Sequence, residues 1–270
     1  MSPIFHLTEF NFLVLLFLSN YLTIFCIVLY LHKYRAHGSV IPGVLLGNFC
    51  AFWLWLTTGI HAFVWATIHQ NHHKYSDTEK DIHSLYRYGF LKILFAGVFI
   101  YFKEEEKILA TSQDYSGYSF MERNIYFVYR KIGLLLFFVV ASVLFGISYA
   151  AILLLVHIFL NLYLFAGVFN AFAHKIGYRN FHNEKQYPDG KLVTSTSTST
   201  NLFPVGIFLF GEELHNNHHY QPHIANNRVK WFEFDLGYLI FTVLEKMNFL
   251  TIRKEDTSPA GVRRVKDMLE

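Results

Sequence analysis

Cysteine and charge are both scarce in this sequence. Only two cysteines occur in 270 residues, and both Cys26 and Cys50 lie inside apolar runs, where a free thiol behaves as a small hydrophobic group. Neither a disulfide framework nor a cysteine-based metal site is implied. Charged residues make up 16% of the chain, against 53% hydrophobic residues, which is too apolar for an ordinary soluble globule. The shortage of charge indicates an integral membrane protein.

Further absences narrow the class of protein. The formal net charge is only +3, and basic residues alternate with acidic ones, as between Lys103 and Lys107, so nucleic acid is not expected as a partner. The motif HExxH is missing, which disfavours a membrane zinc protease. No secretory, lipid-anchor or retention signal is recognisable at either end. We therefore expect attachment to the membrane through the body of one domain, residues 1–270.

Long uncharged runs are abundant. Residues 10–31 contain no charged side chain, and about 20 such residues suffice to cross the hydrocarbon core of a bilayer. Residues 132–173 contain no Lys, Arg, Asp or Glu, which is enough for two crossings with a turn near Gly146. These runs predict an all-α fold, with a helical membrane stem of about three to four crossings and a helical cap.

The basic residues predict the orientation. All 23 Lys and Arg residues lie either between Lys33 and Lys131 or from Lys175 onward, and the positive-inside rule places both regions in the cytoplasm. Residues 202–210 and 236–244 are apolar but too short to cross, so we expect them at the interface or in the core. The Ser/Thr run at 194–200 is expected to be a surface loop without an assigned function.

Eight of the fifteen histidines fall into three groups. They are His32 and His37 in HKYRAH, His69, His72 and His73 in HQNHH, and His215, His218 and His219 in HNNHH. On an α-helix, each HxxHH motif directs three imidazoles to one place, and its adjacent pair diverges by about 100°, which suits two metal ions. The two histidines of the first motif are about 140° apart on such a helix, so they converge only if the helix ends near Leu31.

The position of each group favours a shared site on one membrane face. Each group begins at or soon after the end of an apolar segment, and His174 closes the predicted hairpin in the same way. The uncharged run from Val40 to Ile68 is long enough to cross, but a crossing would place the first two groups about 30 Å apart. We therefore expect this run to lie in, or dip into, the cytoplasmic interface.

Two metal ions are the natural number for so many imidazoles, because one four-coordinate zinc would leave most of them idle. Imidazole suits Zn, Cu, Fe and Ni alike, so the ligands alone do not select the metal. A metal carrier without enzymatic activity stays open as an alternative. Of the remaining histidines, a structural role is expected for His6, His61 and His157, and a role near the clusters or at the surface for His83, His182 and His223.

These motifs together resemble the membrane fatty acid desaturase family, most closely its bacterial delta-9 acyl-lipid and acyl-CoA branch. The resemblance runs through YLHKYRAH, FWLWLTTGI, IHQNHHKYSDTEKDIHS, ERNIY, NAFAHKIGYRNF, GEELHNNHH and WFEFDLGY. Related hydroxylases use a shorter first histidine motif or a longer second one, so the gap between His32 and His37 favours a desaturase. The chain differs from the family at DIHS, where DPHS is usual, and in its longer Ser/Thr run.

The resemblance implies two iron ions as cofactors and O₂ as co-substrate. The implied ligands are His32, His37, His69, His72, His73, His174, His215, His218 and His219, with Asn170 approaching one iron through a water. Metal-bound histidines usually donate their other ring N–H to a carboxylate or a carbonyl. The acidic candidates for that orienting role are Asp77, Glu79, Asp81, Glu212 and Glu213.

The implied function is an oxygen-dependent desaturase that introduces a cis double bond, expected at delta-9, into an acyl-CoA or acyl-lipid chain. A fatty acyl or alkyl hydroxylase of the same di-iron superfamily is the alternative. We expect a multi-pass protein of the bacterial inner membrane, surrounded by lipid, with its active site on the cytoplasmic side. Electrons are expected from a separate ferredoxin or cytochrome b5 type of protein with its reductase. Arg87, Lys92 and Arg179 are considered as headgroup contacts, although ordinary cytoplasmic surface charge is the favoured account.

Overall fold

The described part of the chain is built from helices with three small two-stranded sheets. The computed structural model describes residues 3–112, 114–182, 184–186, 192–194 and 196–253. In chain order its α-helices and strands are α1 (Glu9–Cys26), β1 (Val40–Pro42), α2 (Val44–Thr57), α3 (Ala62–Tyr75), α4 (Leu85–Tyr88), α5 (Phe90–Thr111), α6 (Arg130–Phe145), α7 (Ile147–Tyr163), α8 (Asn170–Ala173), β2 (Glu184–Gln186), β3 (Leu192–Thr194), β4 (Val205–Gly206), α9 (His215–Tyr220), β5 (Phe234–Asp235), α10 (Leu236–Lys246) and β6 (Leu250–Ile252). Three π-helical stretches cover Ile27–Ala36, Glu122–Tyr126 and Leu164–Phe169. The predicted all-α class is confirmed.

Two continuous helices in the described part of the chain are long and apolar enough to cross a membrane. The first joins α1 to a π-helical stretch and runs over Glu9–Ala36, and the second runs over Ile147–Ala173. The partner of the second helix is α6, whose 16 residues extend about 24 Å at 1.5 Å per residue. The two helices pack against each other around Gly146, which turns with a φ of +91°. The hairpin therefore forms where the sequence predicts it.

The N-terminal segment lies at the turn end of this hairpin. The backbone N–H groups of Ile4 and Phe5 donate to the carbonyl oxygens of Val143 and Leu144, at 3.1 and 2.8 Å. All of the clustered histidines lie at the opposite end of the long helices. The stem thus has one end without lysine or arginine and one end that carries the cap.

The helices α2 and α3 form a bent pair rather than a straight crossing. They meet at 97°, and the bend contains Gly59 with a φ of +63°. Helix α2 begins seven residues after His37, and α3 carries His69, whose Nε2 lies 2.9 Å from Nε2 of His37. Both ends of the pair therefore lie at the histidine end of the stem. This geometry is that of a re-entrant loop, in agreement with the prediction for residues 40–68.

One of the three sheets fastens the C-terminal part of the described chain to the segment that follows the first long helix. Strand β1, which follows the first histidine motif, pairs antiparallel with β6, with Val40 opposite Ile252. Strands β2 and β3 pair antiparallel with each other, and β4 pairs parallel with β5. The largest core cluster surrounds the first π-helical stretch, in which Ile27 and Leu29 are almost fully buried. Burial there holds the backbone that carries the first motif.

Gly97 allows α5 to pack directly on the backbone that precedes α8. A Cβ added at Gly97 would lie 2.1 Å from the carbonyl oxygen of Ala166, and a backbone atom cannot yield as a flexible side chain can. Overpacking of a core costs roughly 1–3 kcal/mol. We expect Gly97→Ala to destabilise the protein by at least this amount. The midpoint of thermal unfolding in detergent measures this. Gly117→Ala is the control, because its added Cβ meets nothing within 4 Å; equal midpoints would contradict the packing argument.

Candidate metal centre

A π-helix brings the two histidines of the first motif together. The N–H of His37 donates to the carbonyl oxygen of His32 at 3.2 Å, which is the i to i+5 pattern of a π-helix. The two rings consequently lie on one side of the helix, with centroids 4.8 Å apart. The expectation that the helix ends near Leu31 was wrong, since it continues as a π-helix to Ala36. The histidines converge because the helix widens.

Nine histidines gather in two adjacent clusters. Within each cluster, one ring nitrogen from every member lies within 4.8 Å of the others. Cluster A contains His32, His37, His69, His73 and His218, and cluster B contains His72, His174, His215 and His219. His174 joins the three histidine motifs, as the resemblance implied.

The spacing of the ring nitrogens fits an ion in each cluster. In cluster A, Nε2 of His218 lies 2.8 Å from that of His32 and 3.0 Å from that of His73. In cluster B, Nε2 of His174 lies 3.1 Å from that of His215. Two nitrogens that each bind one ion at about 2.1 Å, at a right angle, are about 3.0 Å apart. The nitrogens therefore have the separations of neighbouring ligands on one ion.

Each adjacent pair of histidines divides between the clusters. His72 points into cluster B and His73 into cluster A, and His219 and His218 divide in the same way. This matches the divergence expected for neighbouring residues on a helix. Burial, followed by the electrostatic effect of neighbouring basic groups, holds the pKa of His218 and His219 well below the ordinary value. Both rings are consequently neutral, which is the state that binds a metal.

Three carboxylates contact the outer ring nitrogens of the clusters. Nδ1 of His32 lies 2.8 Å from Oε1 of Glu212. Nδ1 of His72 lies 3.0 Å from Oδ2 of Asp81, and Nδ1 of His174 lies 2.8 Å from Oδ2 of Asp77. Such contacts fix the tautomer and the orientation of a ligand ring.

The other two acidic candidates have different surroundings. Glu79 is exposed. Glu213 is fully buried and accepts from the backbone N–H groups of Leu209 and Gly211, at 2.8 and 3.2 Å. Its carboxylate therefore stabilises the turn before the third histidine motif, and among the described residues it is bonded to backbone rather than to a histidine ring. Burial raises the pKa of Glu213 to about 7.

The Ser/Thr run packs against cluster B, so the expectation of a surface loop was wrong: Ser197, Ser199 and Thr200 are buried. Thr198 donates to Oδ2 of Asp77 from its backbone N–H at 2.7 Å and from its hydroxyl at 3.0 Å. Oγ of Ser197 lies 3.4 Å from Nδ1 of His219. Residues 196–199 alternate between exposed and buried, but the sequence there alternates between Thr and Ser, which are both polar, so no apolar pattern signalled the burial. Ser195 lies outside the described residues.

Asp77 is the point where this segment meets the metal centre. It has a left-handed backbone, with a φ of +60°, and its N–H donates to Asp81 at 2.9 Å. Burial raises the pKa of Asp77, but the hydrogen bond from His174 outweighs this and holds it below its usual range. The carboxylate is therefore charged, and it links His174 to the Ser/Thr run.

A narrow apolar cavity adjoins both clusters. Its volume is about 60 Å³, and its walls include His32 and His69 of cluster A, His215 of cluster B, and Asn170. The amide of Asn170 donates to the carbonyl oxygen of Phe165 at 2.6 Å. Apolar side chains make up most of the remaining wall, namely Ile27, Val28, Ile60, Trp65, Ile68, Leu162, Phe165, Ala166 and Phe169. An apolar chain in this cavity would lie beside both clusters.

The remaining histidines lie outside the two clusters. His6 is exposed, His61 is buried and stacks on Phe127, and His157 is buried in the stem beside Asn20. His182 is exposed, and His223 donates to the carbonyl oxygen of His37 at 3.1 Å. His83 is buried, lines the narrow cavity, and has its ring centroid 5.6 Å from that of His72.

Sequence reasoning missed the polar residues that hold the first motif in place. Lys33 is almost fully buried and donates to Oδ1 of Asn227 at 2.8 Å. Arg35 pairs with Glu122 at 2.9 Å, and the same carboxylate accepts from the hydroxyl of Tyr30 at 2.6 Å. The sequence did contain a signal for these contacts, because Lys33 and Arg35 lie between His32 and His37 and directly after an apolar run. These contacts connect the π-helix to two distant segments.

The family follows from comparison with known proteins. Residues 10–236 match the family model described as fatty acid desaturase. The chain belongs to the fatty acid desaturase family. Two similar proteins are both named sn-1 stearoyl-lipid 9-desaturase. That from Anabaena variabilis is 26% identical over 196 residues, which are 69% of this chain and 63% of the relative. That from Synechocystis sp. is 27% identical over 187 residues, which are 67% of this chain and 52% of the relative.

A third relative has a similar sequence identity, but its name gives acyl-CoA as the substrate instead of an acyl lipid. The acyl-CoA C20 Delta5-desaturase of Anemone leveillei is 27% identical over 238 residues, which are 84% of this chain and 69% of the relative. The chain spans less than two thirds of the length of the two stearoyl-lipid desaturases. Membership of this membrane desaturase family accounts for the long apolar helices and for the histidine clusters at one end of them.

Proposed function

We propose that this protein is an oxidoreductase that uses O₂ and two iron ions to introduce a cis double bond, at delta-9, into a fatty acyl chain. The observation that carries the proposal is the position of the two histidine clusters on the wall of one narrow apolar cavity. An unactivated methylene group offers nothing to an ordinary acid or base, so its oxidation needs a metal cofactor. The names of the related desaturases support the same reaction.

The chain offers a complete set of ligands for the two ions. The five imidazoles of cluster A would hold one iron, and the four imidazoles of cluster B would hold the other, with Asn170 nearby to hold a water. When bound, the two irons supply the activation of O₂ and the removal of two hydrogens. Glu212, Asp81 and Asp77 each accept from the outer N–H of a ligand ring and so keep the inner nitrogen directed at the ion.

The apolar wall of the cavity determines which carbon reacts. All methylene groups of a saturated chain are chemically alike, so selectivity must come from the position of the chain relative to the metals. Ile68 and Phe169 line the cavity beside His69 and His215, where they exclude water from the bound chain. The position of the double bond along the chain is therefore determined by how far the chain extends past the clusters.

A separate electron carrier is expected to approach cluster A from the side opposite the narrow cavity. His37 and His73 line an open cleft of about 510 Å³, together with Lys74, Arg253 and His223. No acidic side chain among the described residues lines this cleft, so an acidic ferredoxin or cytochrome b5 type of protein complements its charge. Its reductase would act on the carrier rather than on this chain.

The histidine end of the stem would face the cytoplasm of a bacterial inner membrane. The basic residues flank that end, whereas the N-terminal segment and the Gly146 turn contain none. Short basic flanks remain on the cytoplasmic side during insertion. This orientation also gives a soluble electron carrier access to the cleft at cluster A.

Mass spectrometry of lipids from cells that express the protein tests the proposed function. We expect acyl chains lighter by two hydrogens, with a cis bond at carbon 9, in expressing cells and not in cells with an empty vector. A gain of one oxygen would indicate a hydroxylase instead. Unchanged lipids, in cells whose purified protein carries exchangeable zinc, would indicate a metal carrier and overturn the proposal.

A further inference from the structure

The narrow cavity shares a wall with a larger one. Ile60, Tyr101 and Leu162 line both the narrow cavity and a second cavity of about 560 Å³ that is open to the outside. Tyr101 is only 5% exposed, and its hydroxyl has no hydrogen-bond partner among the described residues. Ile60 and Leu162 have no side-chain hydrogen-bonding group, so none of these three side chains is anchored by a hydrogen bond within the described part of the chain. A rotamer change there would join the two cavities into one passage.

The rim of the larger cavity is apolar and exposed. Phe102 is 41% exposed, Val128 62%, Tyr129 50% and Ile132 51%, and all four line this cavity. Val128 and Tyr129 lie just before α6 and Ile132 lies in its first turn, where the hairpin leaves the membrane at the histidine end. Tyrosine and other exposed aromatic side chains favour the boundary between lipid and water. The opening therefore faces the side of the bilayer at headgroup depth.

The charges around this opening are few. Among the described residues, the charged ones that line it are Glu105, Arg130 and Lys131, and Arg130 forms an ion pair with Glu105. Lys131 is exposed and leaves one uncompensated positive charge. The neighbouring run from Lys103 to Lys107 has three glutamates against two lysines and adds no basic surface.

One positive charge suits a phosphodiester and not coenzyme A. Coenzyme A carries a pyrophosphate and a further phosphate, which proteins recognise with groups of Arg and Lys side chains. An acidic carrier protein would likewise need a basic surface. A membrane phospholipid presents a single phosphate at headgroup depth, and its acyl chain already lies in the hydrocarbon beside the apolar rim.

We propose that the substrate is the acyl chain of a membrane phospholipid, which enters sideways through this opening, with its phosphate at Lys131 and its chain passing Tyr101. This inference rests on the proposed desaturase function and names the acyl carrier for it. The sequence alone leaves three carriers open, and the relatives differ in the carrier that their names give.

A comparison of acyl carriers tests the inference. The iron-loaded enzyme, with an electron donor and its reductase, is reconstituted in dioleoyl vesicles that contain stearoyl phosphatidylglycerol, or that receive stearoyl-CoA or stearoyl carrier protein at equal acyl concentration. We expect the lipid-bound chain to be desaturated at least about tenfold faster than either thioester, since only its phosphate matches the single cation. Faster conversion of a thioester would overturn the inference and leave the proposed function intact. No conversion of any carrier would overturn both.

A lysine variant locates the phosphate. We expect Lys131→Gln to raise the KM for phosphatidylglycerol about fivefold, the effect of one lysine at an anionic lipid, with kcat unchanged. Lys246→Gln is the matched control, because Lys246 is an exposed lysine that lines neither cavity. An unchanged KM in the Lys131 variant, or an equal rise in both variants, would contradict the assignment of the opening.

Discussion

Replacement of His218 or His72 by alanine is expected to abolish turnover and to lower the iron content of the purified protein. His218 belongs to cluster A and His72 to cluster B, so each variant removes one imidazole from a different cluster. Loss of a group that only orients a ligand costs about 10–100-fold in metal affinity or activity, and loss of the ligand itself should cost more. Iron per chain, measured by inductively coupled plasma mass spectrometry, and desaturated lipid are the two readouts.

The pair of variants also tests whether two separate ions are present. We expect each variant to lose iron mainly from its own cluster, so that iron falls from two per chain toward one. His6→Ala is the control, since His6 is exposed and distant from both clusters in the fold. Full activity in either ligand variant would refute the assignment of two irons, and so would a wild-type protein with one iron per chain.

Helix geometry made most of the site predictable. The i, i+3 and i+4 offsets of HxxHH place three imidazoles together on any α-helix, and the requirement for one shared site gave the re-entrant path of residues 40–68. The convergence of His32 and His37 was not explained correctly, because it depends on ten residues of π-helix. A change from i+4 to i+5 hydrogen bonding leaves no periodic signal in an apolar run such as residues 27–31.

The surroundings of the ligands were less predictable than the ligands. Asp77, Glu79 and Asp81 look equivalent in the sequence, yet only the two aspartates contact histidine rings, because the turn at Asp77 directs Glu79 to solvent. The Ser/Thr run reaches Asp77 across more than 100 residues of sequence, and its polar composition alone suggested a loop. Contacts between residues so far apart in the sequence depend on the packed fold, and neither helix or strand propensity nor a local sequence pattern predicts them.

Asp77→Asn is expected to lower metal retention and turnover by about 10–100-fold, the range for groups that orient metal ligands. Asparagine tolerates the left-handed backbone of this position, so the turn should survive and the change should isolate the negative charge. That charge holds the N–H of His174 at 2.8 Å and two donors of Thr198. A neutral amide accepts more weakly, so the ring of His174 and the Ser/Thr run both lose their common anchor.

Glu79→Gln removes the same charge two residues away and should leave iron content and turnover unchanged, because Glu79 is exposed. The difference between these two variants separates orientation of a ligand from a general loss of negative charge near the metals. Iron content after dialysis against a chelator reports on retention, and the melting temperature of both iron-free proteins reports on the fold. If Asp77→Asn retains iron as well as Glu79→Gln does, His174 is held by the packing of the cap and not by its carboxylate partner.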